Sequence, residues 1–253
     1  QLLNLSRSGE QDRGLFEECH ISQATPDAII GSYNLLSAEF KTLMQNSNIA
    51  HSFAAIRPPG HHADYKFSSG FCFACNIIHA YLSAIESGHI KKTDPILIVD
   101  IDLHAGNGTC EWVKKLLKDG YNLYFLNLYC SNQYPWAQGA PFDEYEGHIY
   151  NVALSPGTKI ESYVDCLKKS LASVIIQMQT QPEVVLISAG FDTAKKDKKH
   201  LGGIGFDFSV EDYKVLSYEL KRSFAAEKTP KFFSLLEGGY DLSEIGARVV
   251  NYL

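Results

Sequence analysis

Residues 96–109, ILIVDIDLHAGNGT, carry Asp100, Asp102 and His104 at alternate positions straight after an apolar run. In an extended chain alternate side chains share a face, so two carboxylates and an imidazole point one way while Ile101 and Leu103 point the other. Such a grouping on a buried strand is costly unless something offsets it, and a bound cation does so. A solvated edge strand could carry the same residues, but the preceding PILIV run argues for burial. Residues 184–192, VVLISAGFD, repeat the shape: an apolar run, small residues, then a carboxylate. Gly190 allows close backbone approach, and Asp192 falls at the carboxyl edge of a strand, where open α/β sheets place their ligands. The plainer alternative is that Asp192 caps the next segment. Residues 57–63, RPPGHHA, set His61 and His62 side by side on a loop stiffened by Pro58 and Pro59, a device suited to proton transfer. In LLEGGYD, residues 235–241, two glycines allow a tight turn that presents the Tyr240 hydroxyl.

These residues need a frame that brings four separate segments to one place. Six runs read as buried strands, roughly 52–57, 95–101, 122–128, 148–154, 183–188 and 231–236. Several are continuously apolar, as in a parallel sheet covered on both faces. Helical periodicity fills the gaps: Val164, Leu167, Leu171, Val174, Ile175 and Met178 recur over 161–178. A helix is expected to start near Pro26 with Thr25 as its cap, and others over 73–87, 109–118, 209–226 and 241–253. Strands alternating with helices predict an α/β fold, an open, doubly wound, mainly parallel sheet flanked by helices. No repeat or linker divides the chain, so residues 1–253 are expected to form one domain. Residues 129–147 lack a period and read as a long aromatic loop, the kind that tends to be functional.

Composition narrows the function. The 253 residues include 45% hydrophobic and 21% charged, an ordinary globular balance. A net charge of −6 counts against direct nucleic-acid binding, which needs a basic surface. Six scattered cysteines read as reduced and the location as intracellular, cytoplasmic or nuclear. Cys72 and Cys75 form a lone CxxC, best read as two small buried residues opening a helix. No run is long enough to cross a bilayer, and no signal pattern opens the chain. Both ends read as cut, as in a piece of a longer protein.

Taken in order, RPPGHHA, GFC at 70–72 with Asn76, DIDLHAGNGT, SAGFD and LEGGY resemble the histone deacetylase family, most closely its class II and bacterial deacetylase-like members. The resemblance implies the arginase–deacetylase fold, with an eight-stranded parallel sheet whose N-terminal strand region is missing here. It further implies that Asp102, His104 and Asp192 hold Zn²⁺, with Fe²⁺ or Co²⁺ as substitutes at such a mixed site. His61 and His62 would flank the attacking water, oriented by Asp100 and Asn107 respectively. Tyr240 would donate to the substrate carbonyl, and Gly70, Phe71 and Tyr134 would wall an acyl-lysine channel. The sequence also departs from the family. Asn127 and Tyr129 replace a serine and a histidine, which counts against the family's structural K⁺ site. Trp136-Ala137-Gln138-Gly139 replaces a Gly-Thr-Gly at the rim. Lys198, Lys199 and His200 follow Asp197 and would make a basic rim that disfavours polyamines through like-charge repulsion, weakened by screening.

The expected activity is metal-dependent hydrolysis of N-acyl amides, first of all N6-acetyl-lysine in proteins or peptides. The rivals are an acetylpolyamine or other small-molecule deacetylase, and a silent binding module. A two-metal arginase chemistry is disfavoured because Gly106, Thr193 and Ala194 stand where a second ion would need carboxylates. A serine hydrolase built on Ser188 lacks the glycine expected two residues before the nucleophile.

Overall fold

The computed structural model describes residues 18–137, 145, 147–224 and 229–253. Its frame is a six-stranded sheet: β1 (His51–Ala54), β2 (Ile96–Asp100), β3 (Leu123–Cys130), β4 (Ile149–Leu154), β5 (Val184–Ala189) and β6 (Lys231–Leu236). Every pairing is parallel, in the order β1-β6-β5-β2-β3-β4. Among the described residues six α-helices pack on it: α1 (Thr25–Gln45), α2 (Asn76–Glu86), α3 (Asn107–Lys118), α4 (Ile160–Met178), α5 (Asp212–Arg222) and α6 (Ile245–Tyr252). The open, doubly wound parallel sheet expected from the sequence is therefore present.

Alternation along the strands sorts side chains into two cores. Leu97, Val99, Ile101 and Leu103 pack with Tyr163, Leu167 and Leu171 of α4 and Leu216 of α5. Ile96 and Ile98 pack on the other face with Phe40 of α1, Ile77 and Tyr81 of α2 and Val113 of α3. Burying each large aliphatic side chain contributes about 1.5–3 kcal/mol. Because both faces are covered, β2, β3 and β5 are buried at every position, which is why they read as unbroken apolar runs.

The chain leaves β2 in one direction across the sheet, to β3 and β4, then returns to β5 on the other side of β2. The carboxyl ends of β2 and β5 therefore flank the point where the winding reverses, the crevice in which such sheets bind ligands.

Local details differ from the expectations. Thr25 is not a cap: Ala24 occupies the N-cap position of α1, and Thr25 Oγ1 accepts the Ser22 N–H at 2.8 Å instead. β3 runs on to Cys130, so the irregular segment starts later than residue 129. Gln138 and Gly139 of its altered rim motif lie outside the described residues. The last helix starts at Ile245 rather than 241, because Asp241 instead accepts the Ser243 N–H at 3.0 Å in a turn. All six cysteines are unpaired, and Cys75 sits just ahead of α2. Among the described residues no helix is long and apolar enough to cross a membrane.

Candidate metal centre

Each of the four chemistry-bearing segments follows the carboxyl end of a strand: 57–63 after β1, 102–107 after β2, 190–193 after β5 and 237–241 after β6. Asp102, His104 and Asp192 meet there. One ligand atom from each lies within 4.8 Å of the other two, and all three residues are buried. His104 Nδ1 stands 3.2 Å from Asp102 Oδ1 and 3.0 Å from Asp192 Oδ2. Backbone amides hold the carboxylates in place. His104 N–H donates to Asp102 Oδ1 at 2.8 Å, Gly238 N–H to Asp102 Oδ2 at 2.8 Å and Leu103 N–H to Asp192 Oδ1 at 3.0 Å. Asp192 thus binds back across the sheet to the β2 end and does not cap its own following segment.

The glycines around these carboxylates leave no space. A Cβ on Gly190 would lie 2.1 Å from Asp102 Oδ2, and one on Gly238 would lie 2.6 Å from an oxygen of each aspartate. Any side chain here would occupy the volume the carboxylates fill, which accounts for glycine in both SAGFD and LEGGY.

The cluster suits a cation. Asp192 Oδ2 is buried and, among the described residues, meets only the His104 imidazole, whose Nδ1 stands 3.0 Å away without completing a hydrogen bond to it. A buried, unpartnered carboxylate oxygen is costly unless something positive faces it. Burial, with repulsion from Asp102, pushes Asp192 up to about 6. Burial works against a charge on His104, yet the two aspartates outweigh it and push the imidazole up to about 10. A mixed His/carboxylate set with three protein ligands is a donor set that Zn²⁺ or a similar divalent ion accepts.

The paired histidines stand beside this cluster with ring centroids 4.0 Å apart. His61 Nδ1 faces Asp100 Oδ2 at 3.0 Å, whereas His62 Nδ1 faces the amide oxygen of Asn107 at 2.7 Å. Asn107 opens α3 yet makes no capping bond there; its side chain is turned to His62 instead. The partners drive the two imidazoles apart. Burial opposes a charge on His61, but Asp102 and Asp100 overcome it and hold the group well above its ordinary value. Burial and the neighbouring His61 and His104 hold His62 well below it.

Gly70, Phe71 and Tyr134 also gather here. The Tyr134 ring meets His62 edge-on at 4.9 Å, and Phe71 meets Tyr240 at 6.4 Å. A Cβ on Gly70 would lie 2.5 Å from the His62 ring. Burial, then the charges of Asp192 and Asp102, drive the Tyr240 phenol well up, so it stays a donor at any working pH. Asn127 is used internally: its oxygen accepts the Gly106 N–H at 3.3 Å and its NH₂ donates to Asn151 at 2.9 Å. Of the three residues expected to make a basic rim, Lys198 pairs with Asp207 at 2.6 Å and Lys199 with Asp241 at 2.7 Å. The like-charge argument against polyamines is weakened by these pairs.

Sequence reasoning missed Glu237. Its buried carboxylate accepts the Gly60 N–H at 2.7 Å, the His61 N–H at 3.1 Å and the Ser188 hydroxyl at 3.2 Å. It ties the histidine loop to the end of β6, and burial pushes it up to about 7. The signal was a charged residue directly after the apolar run KFFSLL, where only a partnered one is tolerated.

An open parallel α/β sheet with a candidate single-ion centre at its switch point defines the class. The family itself follows from comparison: the model described as histone deacetylase domain matches residues 2–253, and the chain belongs to that family. Histone deacetylase 15 of Arabidopsis thaliana is 32% identical over 221 residues, 84% of this chain and 36% of that protein. The solved HDA15 HD domain superposes with a TM-score of 0.70 at 28% identity, covering 87% of this chain and 60% of that one. The acetylpolyamine aminohydrolase of Burkholderia pseudomallei has a TM-score of 0.71 at 19% identity, covering 92% of this chain and 64% of that one, a likeness of fold. The chain spans less than two thirds of each of these relatives.

Proposed function

We propose that the chain hydrolyses N-acyl amides, with N6-acetyl-lysine in proteins or peptides as its main substrate class. The observation that carries this reading is the meeting of Asp102, His104 and Asp192 beside two histidines whose Nδ1 partners differ in charge. Asp102, His104 and Asp192 would hold Zn²⁺, or Fe²⁺ or Co²⁺ in its place, and when bound such an ion polarises the scissile carbonyl and lowers the pKa of water toward about 7.

The remaining work falls to the chain. His62 donates its Nδ1–H to Asn107, which leaves Nε2 as the acceptor for a proton from the attacking water. His61, with its Nδ1–H on the Asp100 carboxylate, is held charged and supplies positive potential and a proton on the side of the leaving amine. The Tyr240 hydroxyl donates to the carbonyl oxygen as that oxygen gains charge. Gly70, Phe71 and Tyr134 line the approach, and glycine at 70 is required because a Cβ would strike His62.

An acetylated polyamine is the second reading, favoured by the pairing of Lys198 and Lys199, which reduces the repulsion such a substrate would meet. The test is a side-by-side assay of Zn²⁺-loaded protein on an acetyl-lysine peptide and on acetylated polyamines, with a chelator control. Chelator-sensitive release of acetate from the peptide supports the proposal. Preference for the polyamine selects the second reading, and loaded protein that cleaves neither is a binding module.

A further inference from the structure

The 3₁₀ turn after β5, Lys195–His200, carries one fully buried acid, Asp197. Its Oδ1 accepts two backbone N–H groups from the turn after β6, Tyr240 at 2.6 Å and Asp241 at 3.1 Å. Its Oδ2 is bound by Nη1 of Arg248, a fully buried arginine on α6. The same Nη1 donates to the carbonyl oxygen of Phe191 at 3.0 Å, the residue before the candidate ligand Asp192. Phe191 N–H in turn donates to Gly238 O at 2.8 Å, and Arg248 Nη2 reaches Glu244 at 3.1 Å.

One guanidinium therefore touches both the β5 end and, through a single carboxylate, the turn that carries Tyr240. A buried arginine and aspartate are poor sources of stability compared with an apolar pair of similar volume, so their presence calls for a reason of geometry. Charge-assisted bonds from one carboxylate to two successive amides fix a turn more firmly than neutral ones. Neither Gly238 nor Gly239 has a side chain to anchor the backbone just ahead of Tyr240, and Gly239 has a φ of +136°, which few other residues adopt.

We propose that Asp197, locked by Arg248 of the last helix, is the positioning residue that sets Tyr240 against the Asp192 end of the site. This rests on the deacetylase reading only for its kinetic arm. That arm compares wild type, Asp197→Asn, Tyr240→Phe and the double variant on an acetyl-lysine peptide, with Zn²⁺ affinity measured by chelator competition. Misplacing a reacting group by an ångström or less costs up to about 100-fold. Asp197→Asn is therefore expected to lower kcat by about 10- to 100-fold, with KM and Zn²⁺ affinity nearly unchanged. In the Tyr240→Phe background the same change is expected to cost less than about threefold, since the group it positions is gone. An equal loss in both backgrounds, or a parallel loss of Zn²⁺ affinity, overturns the proposal.

The second arm needs no activity. Amide hydrogen exchange at Tyr240 and Asp241 should quicken by about tenfold in Asp197→Asn, and unchanged exchange overturns the assignment even if the protein cleaves nothing. Arg248→Lys keeps the charge but puts a single nitrogen on a shorter stem in place of the planar fork that holds Asp197, Phe191 and Glu244 together. It gives the same exchange readout if the asparagine variant does not fold, with quickened exchange supporting the proposal and unchanged exchange refuting it.

Discussion

Replacing Gly238 with alanine tests the metal centre without removing a single ligand. An ideal Cβ there lies 2.6 Å from Asp102 Oδ2 and 2.6 Å from Asp192 Oδ2, and 2.8 Å from the Asp192 carboxyl carbon. Non-bonded carbon contacts rest at roughly 3.5 Å, so both carboxylates must retreat by a large fraction of an ångström. Metal–ligand distances tolerate only about 0.2 Å. Overpacking of this kind costs about 1–3 kcal/mol. If the cost falls on holding the carboxylates together, Zn²⁺ affinity drops roughly 5- to 150-fold. The measurement is competition between metal-free protein and a chromophoric chelator, with thermal unfolding of the metal-free forms as a check on folding. Gly246→Ala serves as the control, because a Cβ there meets nothing within 4 Å, and it should leave Zn²⁺ affinity unchanged. A folded Gly238→Ala protein that binds Zn²⁺ within twofold of wild type would refute the argument that these two carboxylates share one ion.

Three further outcomes are expected. Tyr240→Phe should bind Zn²⁺ normally while turnover falls about 10²- to 10³-fold; unchanged turnover removes the hydroxyl from the mechanism. Glu237→Ala leaves the Gly60 and His61 amides buried without an acceptor, at about 1–3 kcal/mol each. Glu237→Gln keeps one acceptor oxygen, so chemical denaturation should rank alanine at least about 2 kcal/mol below glutamine, and equal stabilities would refute the role given to the carboxylate. His51 is lowered to about 4, by burial and then by Lys221, while it donates or accepts at 2.8 Å with Ser234. A depressed histidine costs nothing above its unfolded value of about 6.5, and stability is lost as pH falls from there toward 4 because the unfolded chain takes up the proton first. Between pH 7.5 and 4.5 the metal-free wild type should lose roughly 2 kcal/mol more than His51→Gln, and parallel losses would show that His51 is not the group responsible.

The central strands were legible because a doubly covered parallel sheet forces long apolar runs, and Ile96–Val99 or Val184–Ile187 admit no other simple reading. The gathering of Asp102, His104 and Asp192 was legible for a related reason. Carboxylates written directly after such runs must lie at the sheet's carboxyl edge, and β2 and β5 are neighbours there. What escaped was everything whose meaning depends on a partner that local spacing does not announce. Thr25 looks like a cap until Ser22 N–H is seen to claim its hydroxyl. Lys198 and Lys199 read as a charged rim because Asp207 and Asp241, which neutralise them, are nine and forty-two residues away. Glu237 sits inside LEGGY and Asp197 just ahead of the lysine run, yet neither role could be read there, since a carboxylate that accepts backbone amides needs no particular residue type opposite it. Arg248 on the short last helix is fully buried, which an arginine's residue type does not announce. Local spacing thus announces groups that act on a shared ion, because the strand period aims them. The groups that hold those actors still declare themselves only through contacts spanning 51 and 177 residues, and it is there, rather than among the ligands, that substitutions with unforeseen effects on activity should concentrate.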